Sequence, residues 1–141
     1  MAFGLKARDP ETPYLVYAFA WNDKIYYVGL GQAKSTRHTH RWLFIKNLLR
    51  HEAAGTLRPD KRRALEGKSN KVIASLQRAG CESHEVRVLW RGVGRANAEI
   101  EEAKFIAKHV GEGCALANVH CTSVEHTVDE IVNYLGVRNA T

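Results

Sequence analysis

Tyr17 and Tyr27, ten residues apart, are the first side chains whose type and spacing could support chemistry. The polar turn Asn22-Asp23-Lys24 lies between them, so strands on either side would bring both phenols together across a hairpin. A buried tyrosine is ordinarily a core aromatic with one polar tip, and Tyr14 and Tyr26 are expected to be no more. Tyr17 and Tyr27 differ because of the residues downstream of them. Tyr27-Val28-Gly29 runs into a short loop and then Arg37, eight residues past Gly29. A guanidinium at a helix start beside a glycine turn can grip a phosphate bidentately, whereas an isolated Arg37 would read as a solvated surface residue. His38 and His40 flank Arg37 and add candidate proton carriers. Near the C-terminus, His109, Cys114, His120, Cys121 and His126 are all zinc-ligand types. Their spacing fits no common paired-ligand pattern, so separate packing and surface roles are expected. Gly29, Gly31, Gly92 and Gly94 form no phosphate-loop or dinucleotide fingerprint, and no Ser-His-Asp arrangement is recognisable from residue order.

The elements that must position these groups can be read from periodicity. Residues 1–13, with two prolines, read as a loose leader. Tyr14–Trp21 and Ile25–Leu30 are rich in aromatic and branched residues and predict two paired strands, closed by Gly29 and Gly31, where the backbone needs an unusual dihedral or a close approach to a ligand. A helix capped by Ser35 or Thr36 then carries Trp42, Ile45, Leu48 and Leu49. Residues 53–68 read as an exposed, charged excursion. Ser69 is expected to cap a second helix bearing Val72, Ile73 and Leu76, which stops at Gly80. Glu85–Trp90 alternates as a third strand would. After the Gly92–Gly94 turn, Ala96, Ile100, Ala103, Ala107 and Val110 mark the buried stripe of a third helix. A capping box at Thr122 and Glu125 is expected to open a tail helix within residues 119–141, carrying Val128, Ile131, Val132 and Leu135 and packed on the same domain. The expected fold is α/β of the α+β type, a small three-stranded antiparallel sheet flanked by helices.

Composition restricts the function classes. The chain has 141 residues, 45% hydrophobic and 26% charged, which suits one globular core. No apolar run approaches the roughly 20 residues that cross a bilayer, and the N-terminus lacks a secretory core, so no membrane partner is expected. Three cysteines argue against a disulfide framework and fit a reducing cytoplasm. The net charge of +6 is unevenly spread. Lys34 to Lys71 holds eleven Lys or Arg against three acids, while Asn97 to Leu135 holds seven acids against two lysines. A basic block of this kind draws polyanions by releasing their counterions, so nucleic acid is the partner to consider first, although a solubilising surface has the same composition. Lys34, Arg41, Lys68 and Lys71 are its expected contacts.

Taken in order, Leu15-Val16-Tyr17, Tyr27-Val28-Gly29, Arg37, a glutamate on a later helix and Leu116-Ala117-Asn118 resemble the GIY-YIG nuclease superfamily, over about Tyr14 to Asn118. The resemblance implies a small antiparallel sheet with helices, and cleavage of phosphodiester bonds, usually in DNA, with one divalent ion on the helical glutamate. Glu99, Glu101 and Glu102 are available for that ion. Glu101 lies three residues before Lys104 and is expected to pair with it. Glu102 best matches the family pattern and is the expected ligand of a single Mg²⁺ or Mn²⁺, with Glu99 second. Asn118 matches an asparagine that shapes the family's site or touches the substrate backbone. The family's histidine four residues after the arginine is replaced here by Arg41, with His40 one residue short. Leu15-Val16 also departs from the family's Gly-Ile.

The implied mechanism has Tyr17 accept the proton of the attacking water and Tyr27 orient the water or phosphate, and these roles are interchangeable. Arg37 holds a non-bridging oxygen, and Glu102 places the ion on the leaving-group side. Three readings stay open: a DNA endonuclease, a binding module of the same fold without catalysis, and a nuclease for RNA or branched DNA. With little chain outside the family core, either the basic excursion reads DNA itself or the protein is weakly specific, borrows an accessory partner or forms a homodimer.

Overall fold

The structure, a computed structural model, describes residues 11–120, 122 and 124–137. Most of the expected leader, and Cys121, lie outside the described residues. Among the described residues no helix is long and apolar enough to cross a membrane.

The chain forms a small α+β fold. Strands β1 (Pro13–Trp21), β2 (Lys24–Gln32) and β3 (Glu85–Val93) make an antiparallel sheet in the order β2-β1-β3. The leader therefore ends before Pro13, which already pairs with Val93. Asn22 and Asp23, at φ 53° and 61°, make the two-residue turn that the right-handed twist of a hairpin requires. As the central strand, β1 is buried on both faces. Leu15, Tyr17 and Phe19 point into one apolar cluster, and Val16, Ala18 and Ala20 into another. The ladder slips between Phe19 and Ala20, where Phe19 opposes Tyr27 and Ala20 opposes Ile25. Tyr26 is the extra residue of this bulge, so Tyr26 and Tyr27 both pack with the cluster that holds Tyr17.

Helices α1 (Arg41–Ala54) and α3 (Lys68–Arg78) supply Ile45, Leu48, Val72, Ile73 and Leu76 to the Tyr17 cluster, joined by Ile131 and Leu135 of α5 (Val128–Leu135). Helix α4 (Arg95–Gly111) gives Ile106 to the other cluster. The 53–68 excursion is exposed over most of its length and carries a short helix, α2 (Pro59–Arg62), and a 3-10 turn at Arg63–Glu66.

Several expected boundaries move. Helix α1 starts at Arg41 rather than at Ser35 or Thr36. The Ser35 hydroxyl accepts from the Arg37 N–H, and the Thr39 hydroxyl donates to the Thr36 carbonyl, which holds this stretch in turns instead. Gly67, not Ser69, precedes α3. The capping box is Thr127 with Glu130, not Thr122 with Glu125. Thr127 Oγ1 accepts from Glu130 N–H at 3.1 Å, Glu130 Oε1 accepts from Thr127 N–H at 3.0 Å, and Thr122 bonds the Val124 backbone. The α4 stripe is also different. Ala98, Ile106 and His109 are buried and Glu102 is half-buried between them, whereas Ala96 and Ala107 face solvent and Ile100 is 54% exposed.

Candidate active site

Tyr17 opposes Gly29 and Tyr27 opposes Phe19, so the two phenols are diagonal neighbours with ring centroids 6.3 Å apart. Gly29 is what lets them lie there. A Cβ at this position would fall 2.6 Å from the Tyr17 hydroxyl oxygen and 2.9 Å from Tyr27 Cε2. Gly29 therefore makes room for the rings and has no left-handed backbone, and Gly31 has none either, contrary to the dihedral alternative read from the sequence.

Tyr27 is also fixed from the sheet edge. Asn118, 7% exposed, uses its amide as a strand would: Val28 N–H donates to Oδ1 at 3.0 Å, and Nδ2 donates to the Val28 carbonyl at 2.7 Å. The Ala117 N–H donates to the Tyr26 carbonyl at 2.7 Å. The segment ending at Asn118 thus pins the β2 backbone on both sides of Tyr27.

An open cavity of about 1110 Å³ borders Tyr17, Lys34, Arg37, His38, His40 and Arg41, and no carboxylate among the described residues lines it. Arg37 and Lys34 stand exposed on its rim. Arg41 reaches deeper. Its guanidinium lies over the Phe19 ring, 5.6 Å from the centroid, and donates to Asn70 Oδ1 at 3.0 Å. Asn70 in turn donates to the Ala64 carbonyl of the 3-10 turn, so the excursion braces the arginine. His40 is exposed at the N-terminus of α1 and makes no capping bond. His38 is the histidine at the tyrosine: it is 7% exposed and stacks on Tyr17 at 4.8 Å and 24°. In the sequence His38 stands out only as a neighbour of Arg37, because the irregular turns that fold it inward leave no periodic signal. Lys68 and Lys71 do not line the cavity, and Lys68 pairs with Glu125 at 3.8 Å.

The electrostatics set the protonation states. Burial, then the Tyr27 charge, raises Tyr17 to about 12, with Arg41 opposing and Glu102 adding. Burial also raises Tyr27, which Arg41 pulls back and Glu102 pushes up. Each phenol therefore feels the other at a ring separation of 6.3 Å, and burial is the main reason both resist ionisation. Burial, followed by Arg91, Arg41 and His40, lowers His38, so its imidazole is neutral near pH 7.

Among the described residues, Glu102 is the one carboxylate whose charge disfavours ionisation of both tyrosines. Burial raises its carboxyl, Glu99 adds to this and Arg95 opposes it. Glu99 pairs with Arg95 at 3.4 Å and Glu101 with Lys104 at 3.2 Å, the latter as its spacing predicts. No ion pair or hydrogen bond among the described residues holds Glu102. A half-buried carboxylate without a cation partner, beside two phenols, fits a hard divalent ion with retained waters. No protein-family model, curated protein or solved structure matches the chain.

Proposed function

We propose that this chain is a metal-dependent endonuclease of the GIY-YIG type that hydrolyses phosphodiester bonds in DNA. The observation that carries the reading is an acid-free cationic cavity opening on Tyr17, which sits beside Tyr27 within the field of the unpaired Glu102.

Hydrolysis needs an activated water, charge stabilisation on the phosphoryl oxygens and help for the leaving oxygen. Arg37 and Lys34 gather the phosphate at the rim, and Arg41, held by Asn70, grips a non-bridging oxygen beside the phenols. Of the two interchangeable assignments, burial favours Tyr27 as proton acceptor, because Tyr17 is the more buried and so the harder to ionise. His38 covers the Tyr17 ring and adds no charge of its own near neutrality. A Mg²⁺ or Mn²⁺ ion held by Glu102 would supply charge neutralisation at the leaving oxygen. Asn118 acts on Tyr27 through the β2 backbone and is a positioning residue.

Incubating the protein with supercoiled plasmid, branched DNA and RNA, with Mg²⁺ and with chelator, tests the proposal. Metal-dependent nicking or linearisation of DNA is expected. Salt-sensitive DNA binding without any product in Mg²⁺ or Mn²⁺ would overturn catalysis and leave a binding module.

A further inference from the structure

The far end of α4 carries a second constellation. Helix α4 ends at Gly111, and two residues on Gly113 has a φ of 89° that only glycine adopts without strain. The Gly113 N–H donates to the Val110 carbonyl at 3.0 Å, and the Cys114 N–H to the His109 carbonyl at 2.9 Å. This paired closure turns the chain back over its own last turn. It therefore carries Glu112 and Cys114 to the side chain of His109, five residues before the cysteine.

Ligand atoms of His109, Glu112 and Cys114 all lie within 4.8 Å of one another, and His109 Nδ1 is 3.2 Å from Glu112 Oε1. Donor atoms about 2.0–2.3 Å from one tetrahedral ion are about 3.3–3.8 Å apart, so small side-chain rotations close the set. The protein leaves the imidazole half satisfied. His109 is 8% exposed, and its Nε2 is buried without a hydrogen-bond partner. In the tautomer that donates from Nδ1 to Glu112, the Nε2 lone pair has no partner. In the other, the Nδ1 lone pair faces the carboxylate, and either a proton or a metal cation between them makes the two acceptors compatible.

We infer that His109, Glu112 and Cys114 bind one zinc-class divalent cation, separate from the ion proposed at Glu102. Nitrogen, oxygen and sulfur donors together select a borderline-soft ion such as Zn²⁺, whereas Mg²⁺ takes oxygen ligands. The Tyr134 hydroxyl donates to the Ile25 carbonyl at 3.0 Å, and Cys114 packs against the apolar cluster that holds Ile25 of β2 and Ile106 of α4. Lys24 lies over the Tyr134 ring as the neighbouring cation on this side. The spacing His109-x-x-Glu112-x-Cys114 matches no common zinc pattern because a helix-terminating turn, and not a paired-cysteine loop, assembles it. His126, a candidate from the sequence, pairs instead with Glu130 at 3.7 Å, and His120 is exposed.

Titrating the metal-stripped full chain with Co²⁺, with metal analysis after Zn²⁺ dialysis, tests the site. One thiolate-bound ion per chain is expected, read from a thiolate-to-cobalt charge-transfer band that saturates at one equivalent in Glu102→Gln, where the other proposed site is removed. Cys114→Ser should abolish the band and His109→Asn should weaken binding at least tenfold, while Cys81→Ser and Glu102→Gln should keep both. Glu112→Gln alters an exposed side chain, so the fold should survive while affinity falls at least threefold. Absence of the band in wild-type protein, its persistence in Cys114→Ser, or unchanged affinity in Glu112→Gln would each overturn the inference.

Discussion

At the scale of single residues, the site is a set of groups held in states that the fold alone disfavours. Glu102 is the sharpest case. Burial penalises its charged form, so the carboxylate costs stability at every pH above its raised pKa. Glu102→Gln should therefore melt above wild type at pH 7 in chelator, with the gap closing as pH falls through the raised pKa and gone below about 4.5, the ordinary carboxylate value. A lower melting temperature for the variant would mean that Glu102 is a structural partner instead. Tyr27 yields a kinetic expectation. A phenol raised by burial is protonated at neutrality, so the fraction able to accept a proton grows tenfold per pH unit. Log kcat/KM should rise with unit slope from about pH 6 to about pH 9 and flatten in Tyr27→Phe. Arg41→Ala should lose more cleavage than Arg37→Ala, because Arg41 lies against the aromatic cluster and Arg37 on the rim. Equal losses in a side-by-side rate comparison would remove that ranking.

At the scale of elements, the hairpin and the buried faces of α1, α3 and α5 were legible, and the face of α4 was not. Aromatic and branched runs around Asn22-Asp23 specify two strands and their turn, and with them the approach of Tyr17 and Tyr27. The bulge at Tyr26 left no signal, because one inserted residue does not disturb an apolar run. Helix α4 shows why periodicity failed at the site. Ala96, Ile100, Ala103 and Ala107 form a regular apolar stripe, yet the face that packs inward runs through Ala98, Glu102, Ile106 and His109. Counting apolar residues cannot find a buried face that carries a carboxylate and an imidazole, which is where function departs from folding rules. The strand pairing also sets a steric prediction. Gly29→Ala would push a Cβ into both tyrosine rings, costing about 1–3 kcal/mol in stability and at least tenfold in cleavage. Chemical denaturation and plasmid assays on this variant check the two together, and a wild-type rate would show that the ring positions are not needed.

At the scale of the whole molecule, two apolar clusters clamp the sheet, and the cationic cavity opens on the side where α1 and α3 pack. His84 ties that side together. Its Nδ1 bonds the Tyr26 hydroxyl, and its ring packs on Phe19 and Trp42. Burial lowers its pKa from 6.5 to about 4, so between those values the unfolded chain binds the extra proton. Stability should be full above about pH 6.5 and fall progressively toward about pH 4, where both states are protonated and the loss levels off. His84→Asn should flatten that window in thermal melts. An undiminished slope in the variant would assign it to other groups.

The central claim, catalysis by this site, is tested most directly by plasmid nicking rates of wild type, Tyr27→Phe and Glu102→Gln in Mg²⁺. Metal-dependent nicking by wild type is predicted, with losses of at least about a hundredfold in both variants and their folds intact by circular dichroism. Wild-type cleavage by a folded Glu102→Gln protein would contradict the claim.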